Sequence, residues 1–270
     1  MPAADDRRLL EDAARAAGEI ARRWFRADPE VWQKGDAGPV TEADLEIDAM
    51  LRARLTAARP DYGWLSEESA DGPDRLGRRR VFVVDPIDGT RAFVDGQPDF
   101  THALAVVEDG APVAAAILQP VRDRLWSAHR GGGATRNGDA IAPSAGRLPG
   151  ASVLAAKPAL RAAHWPGGAP DVARTFRSSL AYRMALVAEG RFDAMLTLRP
   201  CWEWDIAAGA LICAEAGAAV TDRRGRPLRF NGAVPQVDGV VAAGPALHGA
   251  LMARLDPDRA DGATRADGAA

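Results

Sequence analysis

A short apolar strand that runs directly into two carboxylates constrains this chain more than any other feature. Residues 81–84 read Val-Phe-Val-Val, which is typical of a strand buried on both faces, and residues 85–90 continue as Asp-Pro-Ile-Asp-Gly-Thr. Two carboxylates at the end of a buried strand are costly unless a cation compensates their charge. Gly89 lets the backbone approach a ligand closely, and Thr90 adds a hydroxyl where phosphate could bind. The alternative is a turn with two solvated aspartates.

Three further acidic segments are candidate metal ligands because of the residues around them. Glu67 and Glu68 follow an apolar pair, Asp205 begins an Ala-rich segment, and Asp44 lies in the first turn of a predicted helix. Each has an ordinary alternative: a solvated Glu pair, a helix N-cap at Asp205 and a helix-dipole partner at Asp44. The four histidines and two cysteines are scattered without metal-site spacing, so any metal must bind through oxygen. This donor set favours Mg²⁺ and suits phosphoryl transfer to water.

Charge and hydropathy narrow the range of partners. The chain has 270 residues, with 34 Lys and Arg against 37 Asp and Glu, and a formal net charge of −3. This balance gives no general field for nucleic acid or an acidic membrane, so any polyanion site must be local. The basic run at residues 78–80 is typical of a solvated loop. No apolar run approaches the roughly 20 residues of a membrane span, and the charged N-terminus does not resemble a signal peptide, so we expect a cytoplasmic protein.

Hydrophobic periodicity predicts two helices and a mostly antiparallel sheet in the N-terminal half. The helices are expected over about 5–26 and from about 41 to before 60, and strands at 81–84, 103–107 and 113–118. The last two strands form a hairpin, and a further strand pair is expected to turn at residues 137–138. Thr41 and Asp44 form a variant of the capping box at the start of the second helix.

Strands and helices alternate in the C-terminal half, which predicts an α/β layer. The strands are expected at 153–156, 192–198 and 237–242, and the helices at 179–189, 205–216 and 245–255. We therefore expect an α+β half over residues 1–145 with most acidic ligands, and an α/β half over 146–255 that completes the site with Asp205. Residues 256–270 are small, polar and aperiodic, which predicts a disordered tail.

The ordered motifs together resemble those of the inositol monophosphatase superfamily of Mg²⁺-dependent, lithium-sensitive phosphatases. The matching segments run from the early helix motif to the C-terminal motif: VTEAD at 40–44, SEES at 66–69, VDPIDGT at 84–90 with GQP at 96–98, and WDIAAG at 204–209 with EAG at 215–217. Ser66 stands where the family's second motif has Gly. The resemblance implies a layered αβαβα sandwich of mixed α/β class and the hydrolysis of small-molecule phosphate monoesters.

The resemblance also implies a set of metal ligands. A first Mg²⁺, which activates the attacking water, would be held by Glu67, Asp85 and the Ile87 carbonyl. A second, which stabilises the leaving oxygen, would be held by Asp85, Asp88 and Asp205. A third, weaker Mg²⁺ near Glu67 is typical of the family, and so is direct in-line hydrolysis without a phospho-enzyme.

Catalytic and phosphate-binding roles follow from the same resemblance. Thr90, paired with Asp44, would orient the water and help to deprotonate it, with Glu67 contributing. The N–H groups of Gly89 and Thr90 would bind phosphate, and Asp88 and Asp205 would lie against the substrate. The family often forms dimers, so a homodimer is a further expectation.

The substrate is the least determined feature. Leu198 stands seven residues before Asp205, where inositol phosphatases have a glutamate that contacts inositol hydroxyls, and this argues against inositol phosphate. The segments at 178–180, 187–190 and 203–205 resemble bacterial 3'(2'),5'-bisphosphate nucleotidases, with Ser179 and Arg183 as candidate substrate contacts. Arg199 could join Arg183 at a second phosphate, and Trp202 could stack on adenine. Inositol monophosphatase, sugar bisphosphatase and a non-catalytic regulatory binding module remain alternatives.

Overall fold

Side-chain capping groups mark the start of two described helices of this chain. The computed structural model describes residues 2–27, 29–33, 39–256 and 258. The described α-helices are α1 Pro2–Trp24, α2 Glu42–Ala58, α3 Thr90–Val94, α4 Leu180–Ala188, α5 Glu203–Glu215 and α6 Pro245–Met252. The predicted capping box is confirmed, because Thr41 and Asp44 bond reciprocally at the start of α2. Ser179 caps α4 through its side chain. None of the described helices combines the length and apolarity needed to cross a bilayer.

Strands of the N-terminal half form a seven-stranded sheet. The described strands up to residue 140 are β1 Val31–Gln33, β2 Pro39–Thr41, β3 Gly63–Ser66, β4 Arg80–Asp88, β5 Thr101–Glu108, β6 Ala111–Gln119, β7 Arg124–His129, β8 Ala134–Arg136 and β9 Asp139–Ala140. The order is β3-β4-β5-β6-β7-β8-β9, and β1 pairs with β2 separately. Only the β3–β4 pair of this sheet is parallel. The predicted hairpin and the turn at residues 137–138 are confirmed.

A second sheet lies in the C-terminal half. Its strands and two short neighbours are β10 Ala151–Ala155, β11 Val172–Thr175, β12 Ala194–Thr197, β13 Cys201–Trp202, β14 Ala219–Thr221, β15 Gln236–Val237 and β16 Val240–Ala243. The five-stranded sheet has the order β11-β10-β12-β16-β14, and β13 pairs with β15. Parallel pairing joins β10 to β11 and β12, and antiparallel pairing joins the rest.

Alternating side chains of the strands divide the core into three apolar clusters between five layers. On β4, Phe82 and Val84 face α1 and α2, whereas Val81 and Val83 face α4 and α5. The other side of α4 and α5 packs on the five-stranded sheet, whose far face carries α6. The order helix, sheet, helix, sheet, helix is the αβαβα sandwich predicted from the sequence.

Several predicted boundaries differ from the structure. The strand expected at 237–242 is two strands, β15 and β16, because Gly239 turns between them at a φ of +71°. The helix expected from residue 205 begins at Glu203, so Trp202 occupies the N-cap position and the N-cap alternative for Asp205 is wrong. The polar stretch at 34–39, which the sequence predicts to be a turn or loop, lies outside the described residues except for Pro39, which begins β2. The predicted tail also lies outside them, apart from Asp256 and Asp258. The division of the chain at residue 145 stays a prediction.

Candidate active site

Parallel pairing of β3 and β4 brings the first two carboxylates together. Ser66 is in register with Val84, so the next residues, Glu67 and Asp85, leave the sheet side by side. The N–H of Glu67 donates to the Val84 carbonyl at 3.2 Å, which extends the pairing to the end of the strand. Side chains at the carboxyl ends of neighbouring parallel strands point toward the same edge of the sheet. Asp85 is almost completely buried there.

The third carboxylate, Asp205, comes from the first turn of α5. This helix packs on the face of the seven-stranded sheet that carries Val81 and Val83. Glu67, Asp85 and Asp205 each offer one oxygen, and these three oxygens lie within 4.8 Å of one another. Residues from three separate segments of the chain therefore converge at one end of β4.

Burial and the charges of neighbouring acids raise the pKa values of Asp85 and Asp205, and burial raises that of Asp88. Burial raises the pKa of Asp85 well above its usual range, and the neighbouring charges of Glu67, Asp88 and Asp205 raise it further. Burial, followed by the charge of Asp88, raises the pKa of Asp205 to about 8. Burial raises the pKa of Asp88 to about 6, although hydrogen bonds from Ser179 and the backbone oppose the rise. The ionised cluster is thus costly for the protein alone.

A divalent cation fits this cluster. Oδ1 of Asp85 is buried and has no hydrogen-bond partner among the described residues, which is costly for a carboxylate oxygen. The converging ligands are all oxygens, and Mg²⁺ and Ca²⁺ prefer oxygen donors. A bound cation would compensate both the orphaned oxygen and the like charges around it. The predicted metal ligands Glu67, Asp85 and Asp205 are thus brought together.

Asp88 is held by the N-terminus of α4. Its Oδ2 accepts hydrogen bonds from the Ser179 hydroxyl at 2.7 Å and the Ala181 N–H at 2.6 Å, and its Oδ1 accepts from the Leu180 N–H at 3.2 Å. The Ser179 hydroxyl is fully buried and is also bonded to Thr101 and to the N–H of Tyr182. The Ser179 hydroxyl is therefore committed to Asp88 and α4, and its contact with substrate stays a prediction.

The turn after Asp88 requires glycine. Gly89 has a φ of +99°, and a Cβ there would lie 3.2 Å from the Asp99 carbonyl oxygen. The Thr90 hydroxyl donates to the Ile87 carbonyl at 3.1 Å. Oδ2 of Asp44 accepts hydrogen bonds from the Thr41 N–H and hydroxyl. Because the Thr90 proton is directed to Ile87, the pairing of Thr90 with Asp44 stays a prediction.

These groups open into one cavity of about 850 Å³. The predicted site residues on its wall are Glu67, Asp85, Ile87, Asp88, Gly89, Thr90, Arg183 and Asp205. Asp44 and Ser179 do not belong to this wall. Most of the residues predicted from separate motifs therefore line a single cavity.

Part of the cavity wall is aromatic, apolar and cationic. Trp202 stacks on Trp204 with ring centroids 4.9 Å apart and planes at 8°. The Arg183 guanidinium lies 4.6 Å from the centroid of the Phe176 ring, and burial lowers the pKa of Arg183 to about 10. Leu198 is buried on the same wall, and Arg199 is beside it. A planar, anionic leaving group would find complementary surfaces there.

Two aromatic members of this wall were not singled out from the sequence as substrate contacts. Trp204 belongs to a family motif without a predicted substrate contact, and Phe176 lies in no motif. The placement of Trp202 and Trp204 on either side of Glu203 and just before Asp205 carried a signal, because aromatic side chains beside a candidate ligand can line its site. Phe176 precedes α4 in an irregular segment, and no local pattern indicates its place on the cavity wall.

The chain matches the model of the inositol monophosphatase family over residues 5–258. It is 34% identical to an inositol-1-monophosphatase of Rhizobium meliloti over 240 residues, which cover 84% of this chain and 89% of the relative. It is 32% identical to a histidinol-phosphatase of Chlorobaculum parvum, covering 93% of this chain and 96% of the relative. It is also 32% identical to a 3'(2'),5'-bisphosphate nucleotidase of Aggregatibacter actinomycetemcomitans, covering 83% of this chain and 87% of the relative.

A solved structure agrees with these relatives. An inositol monophosphatase from Zymomonas mobilis superposes with a TM-score of 0.75 at 31% identity, covering 92% of this chain and 96% of that chain. The αβαβα layering and the acidic cluster at the end of β4 are thus found in a chain whose sequence matches one family along nearly its whole length. The chain belongs to the inositol monophosphatase family, whose members are metal-dependent phosphoric monoester hydrolases.

Proposed function

We propose that this chain is a Mg²⁺-dependent phosphatase that hydrolyses phosphate monoesters of small molecules at the cavity beneath β4. The observation that carries the proposal is the convergence of Glu67, Asp85 and Asp205 around the orphaned Oδ1 of Asp85. Two ions would be held by these carboxylates, by Asp88 and by the Ile87 carbonyl. Oxygen ligands of this kind suit Mg²⁺.

The protein's own groups would position the reactants. The Gly89 and Thr90 N–H groups would hold the phosphate at a turn that only glycine can form without strain. The Thr90 hydroxyl would orient the attacking water, and Glu67 would help to accept its proton. Bound Mg²⁺ would supply the charge that activates water and neutralises the phosphoryl and leaving oxygens. The result is an in-line displacement without a covalent intermediate.

The preferred substrate in this proposal is a 3',5'-bisphosphate nucleotide such as adenosine 3',5'-bisphosphate. The exposed face of the Trp202–Trp204 stack could accept the adenine ring, and Arg183 and Arg199 on the same wall could meet the second phosphate. Leu198 offers no carboxylate for polyol hydroxyls. The bisphosphate nucleotidase relative supports this choice.

Histidinol phosphate is a second candidate substrate, because the planar imidazole ring of its leaving group could stack on the same aromatic wall. The histidinol-phosphatase relative covers more of the chain than the nucleotidase does, which favours including this candidate. Inositol 1-phosphate and sugar bisphosphates would lack a stacking partner on this wall. A cytoplasmic location and the absence of a nucleic-acid partner belong to the proposal, as do the third Mg²⁺, lithium inhibition and the homodimer.

The test is phosphate release from four substrates measured side by side with and without Mg²⁺: adenosine 3',5'-bisphosphate, histidinol phosphate, inositol 1-phosphate and fructose 1,6-bisphosphate. We expect Mg²⁺-dependent release with the highest kcat/KM for the nucleotide. A higher kcat/KM for inositol 1-phosphate would discard the nucleotidase assignment and keep the phosphatase. Absence of release from every monoester would contradict the phosphatase itself and favour the non-catalytic binding module.

A further inference from the structure

His102 is a buried side chain that the proposed chemistry leaves unused, yet it contacts the backbone between two proposed metal ligands. It lies on β5 and has no exposed surface. Its Nδ1 is 2.5 Å from the carbonyl oxygen of Pro86, which stands between Asp85 and Ile87. The contact therefore joins the neighbouring strand to the ligand-bearing end of β4.

The position of this contact follows from a bulge in the β4–β5 pairing. Asp85 is in register with Ala103, and Asp88 is in register with Thr101, so two residues of β4 oppose His102 alone. These two are Pro86 and Ile87. The bulge turns the chain so that Asp85, the Ile87 carbonyl and Asp88 all reach the cavity wall. A buried carbonyl within a bulge needs a hydrogen-bond donor from outside the ladder, and the imidazole supplies one.

The hydrogen bond defines the protonation state of the ring. A carbonyl oxygen can only accept, so Nδ1 of His102 carries the proton and donates it. Nε2 is then an unprotonated nitrogen, buried and without a partner among the described residues. Burial lowers the pKa of His102 to about 4, although the hydrogen bond to Pro86 opposes the fall, and the ring is therefore neutral.

An apolar side chain would avoid the cost of the orphaned Nε2, so packing alone does not explain a histidine here. Leu104 and Val106 occupy the same face of β5 and pack against α1 and α2 with no polar atom. The Nδ1–H bond to Pro86 is what distinguishes His102 from these neighbours.

We propose that His102 is a positioning residue of the metal site: its Nδ1–H holds the Pro86 carbonyl and thereby fixes the bulge that presents Asp85, the Ile87 carbonyl and Asp88 to the cations. The effect on metal affinity rests on the proposed function, whereas the hydrogen bond itself does not. Partners that orient metal ligands typically contribute about 10- to 100-fold to metal affinity or activity.

The experiment compares two substitutions of His102 with a matched control. His102→Asn can place its amide near the position of Nδ1 and keep the donor, whereas His102→Leu removes it. Val106→Ala, on the same strand and face, lowers stability without touching the bulge. For each protein we would measure the Mg²⁺ concentration at half of the Mg²⁺-induced rise in Tm, together with kcat and KM for the nucleotide.

We expect His102→Leu to raise the half-effective Mg²⁺ concentration by about tenfold or more, and His102→Asn by less than about threefold. Val106→Ala should lower Tm and leave that concentration unchanged. An unchanged Mg²⁺ response in His102→Leu would overturn the proposal. An equal shift in Val106→Ala would also overturn it, because the effect would then follow stability alone.

A nitrogen-15 NMR spectrum of the wild-type histidines separates this proposal from the proposed function. We expect one ring with a protonated Nδ1 and an unprotonated Nε2 that does not titrate between about pH 5.5 and pH 8, and that is lost in His102→Asn. A His102 ring protonated on Nε2 would overturn the hydrogen bond whether or not the protein is a phosphatase. If the bond is present but Mg²⁺ has no effect on the wild type, the proposed function fails and the metal-positioning role fails with it.

Discussion

The Ser179 hydroxyl donates a 2.7 Å hydrogen bond to Asp88, which lies 91 residues earlier in the chain. Ser179 also caps α4, so one side chain starts that helix and holds a proposed metal ligand. The backbone N–H of Ala181, in the first turn of α4, also donates a hydrogen bond to Asp88. Because Asp88 accepts three hydrogen bonds from this turn, the position of its carboxylate depends on the start of α4.

Ser179→Ala should lower both activity and stability. Loss of the cap should cost about 1 kcal/mol of unfolding free energy, and loss of a hydrogen bond to Asp88 should reduce kcat by about tenfold. Chemical denaturation and steady-state kinetics would measure the two effects. Ser127→Ala is the control, because Ser127 is also buried and, among the residues that the structure describes, its hydroxyl bonds to Thr135 on a neighbouring strand and not to an acidic ligand. Equal kcat in Ser179→Ala and Ser127→Ala would show that Ser179 does not position Asp88.

Asp88→Asn should reduce kcat by about 100-fold or more while leaving Tm close to that of the wild type. Burial raises the pKa of Asp88, so its charge does not stabilise the metal-free fold, and the amide keeps one acceptor oxygen for α4. Asp193→Asn provides the contrast. Hydrogen bonds from Ser144 and Ser152 outweigh burial and lower the pKa of Asp193, so its charge does stabilise the fold.

We therefore expect Asp193→Asn to lower Tm and keep kcat, which is the reverse pattern. Thermal unfolding and phosphate release on both variants would compare them directly. Near wild-type kcat in Asp88→Asn would contradict the two-metal arrangement.

Thr90→Ala should reduce kcat by about 100-fold with little change in KM, because in the proposed mechanism its hydroxyl would orient the attacking water and not the ground-state substrate. Thr90→Ser is the matched variant, since it keeps the hydroxyl that reaches the Ile87 carbonyl. Steady-state kinetics at saturating Mg²⁺ would separate the two parameters. Thr90 would lose this role if the alanine variant turned over as fast as the serine variant.

Trp202→Ala should raise KM for adenosine 3',5'-bisphosphate by about tenfold, because a lost base-stacking contact costs about 1–3 kcal/mol. The ring is 37% exposed, so its removal should leave the fold stable. Inositol 1-phosphate, which cannot stack, serves as the control substrate, and its KM should not change. A similar rise in KM for both substrates would indicate that Trp202 supports the cavity and does not recognise a base.

Removal of the metal should make stability fall as pH rises. Burial raises the pKa of Asp88 to about 6, that of Asp205 to about 8 and that of Asp85 well above its usual range. The native state therefore binds more protons than the unfolded state, and the free energy of unfolding decreases as pH rises through this range. Bound Mg²⁺ should offset the loss by compensating the ionised carboxylates.

The measurement is Tm from about pH 5.5 to about pH 8.5 with a chelator and with Mg²⁺. We expect the two curves to diverge as pH increases, and to diverge less in Asp85→Asn. Parallel curves in the wild type would contradict a metal bound by these acids.

Local signals in the sequence were sufficient for the elements that carry their own periodicity. The buried run of β4, the capping box of α2 and the hairpin of β5 and β6 each depend on neighbouring residues, and each is present. The four-residue strand β3 was not predicted, because Gly63–Ser66 is too short to show a period. Its parallel pairing with β4 nevertheless sets Glu67 beside Asp85.

In the candidate site, too, some features could be predicted from the sequence and others could not. The resemblance of the motifs to one family, and not their local patterns, indicated which carboxylates meet, and Glu67, Asp85 and Asp205 do lie together. The motifs did not predict that Ser179 serves Asp88 or that His102 serves Pro86, since both contacts cross long stretches of chain. A serine before a helix and a lone histidine in an apolar strand have the same local pattern whether or not they support a site.

The most direct test is a Mg²⁺ titration of phosphate release from adenosine 3',5'-bisphosphate by the wild type and by Asp85→Asn. The Asp85 carboxylate is at the centre of the proposed cluster, and its replacement removes a buried charge that the metal-free fold does not need. We expect saturable Mg²⁺-dependent release from the wild type, none after chelation, and a loss of about 100-fold or more in a folded Asp85→Asn variant. Release that is independent of Mg²⁺, or unchanged in Asp85→Asn, would contradict a metal-dependent phosphatase at this site.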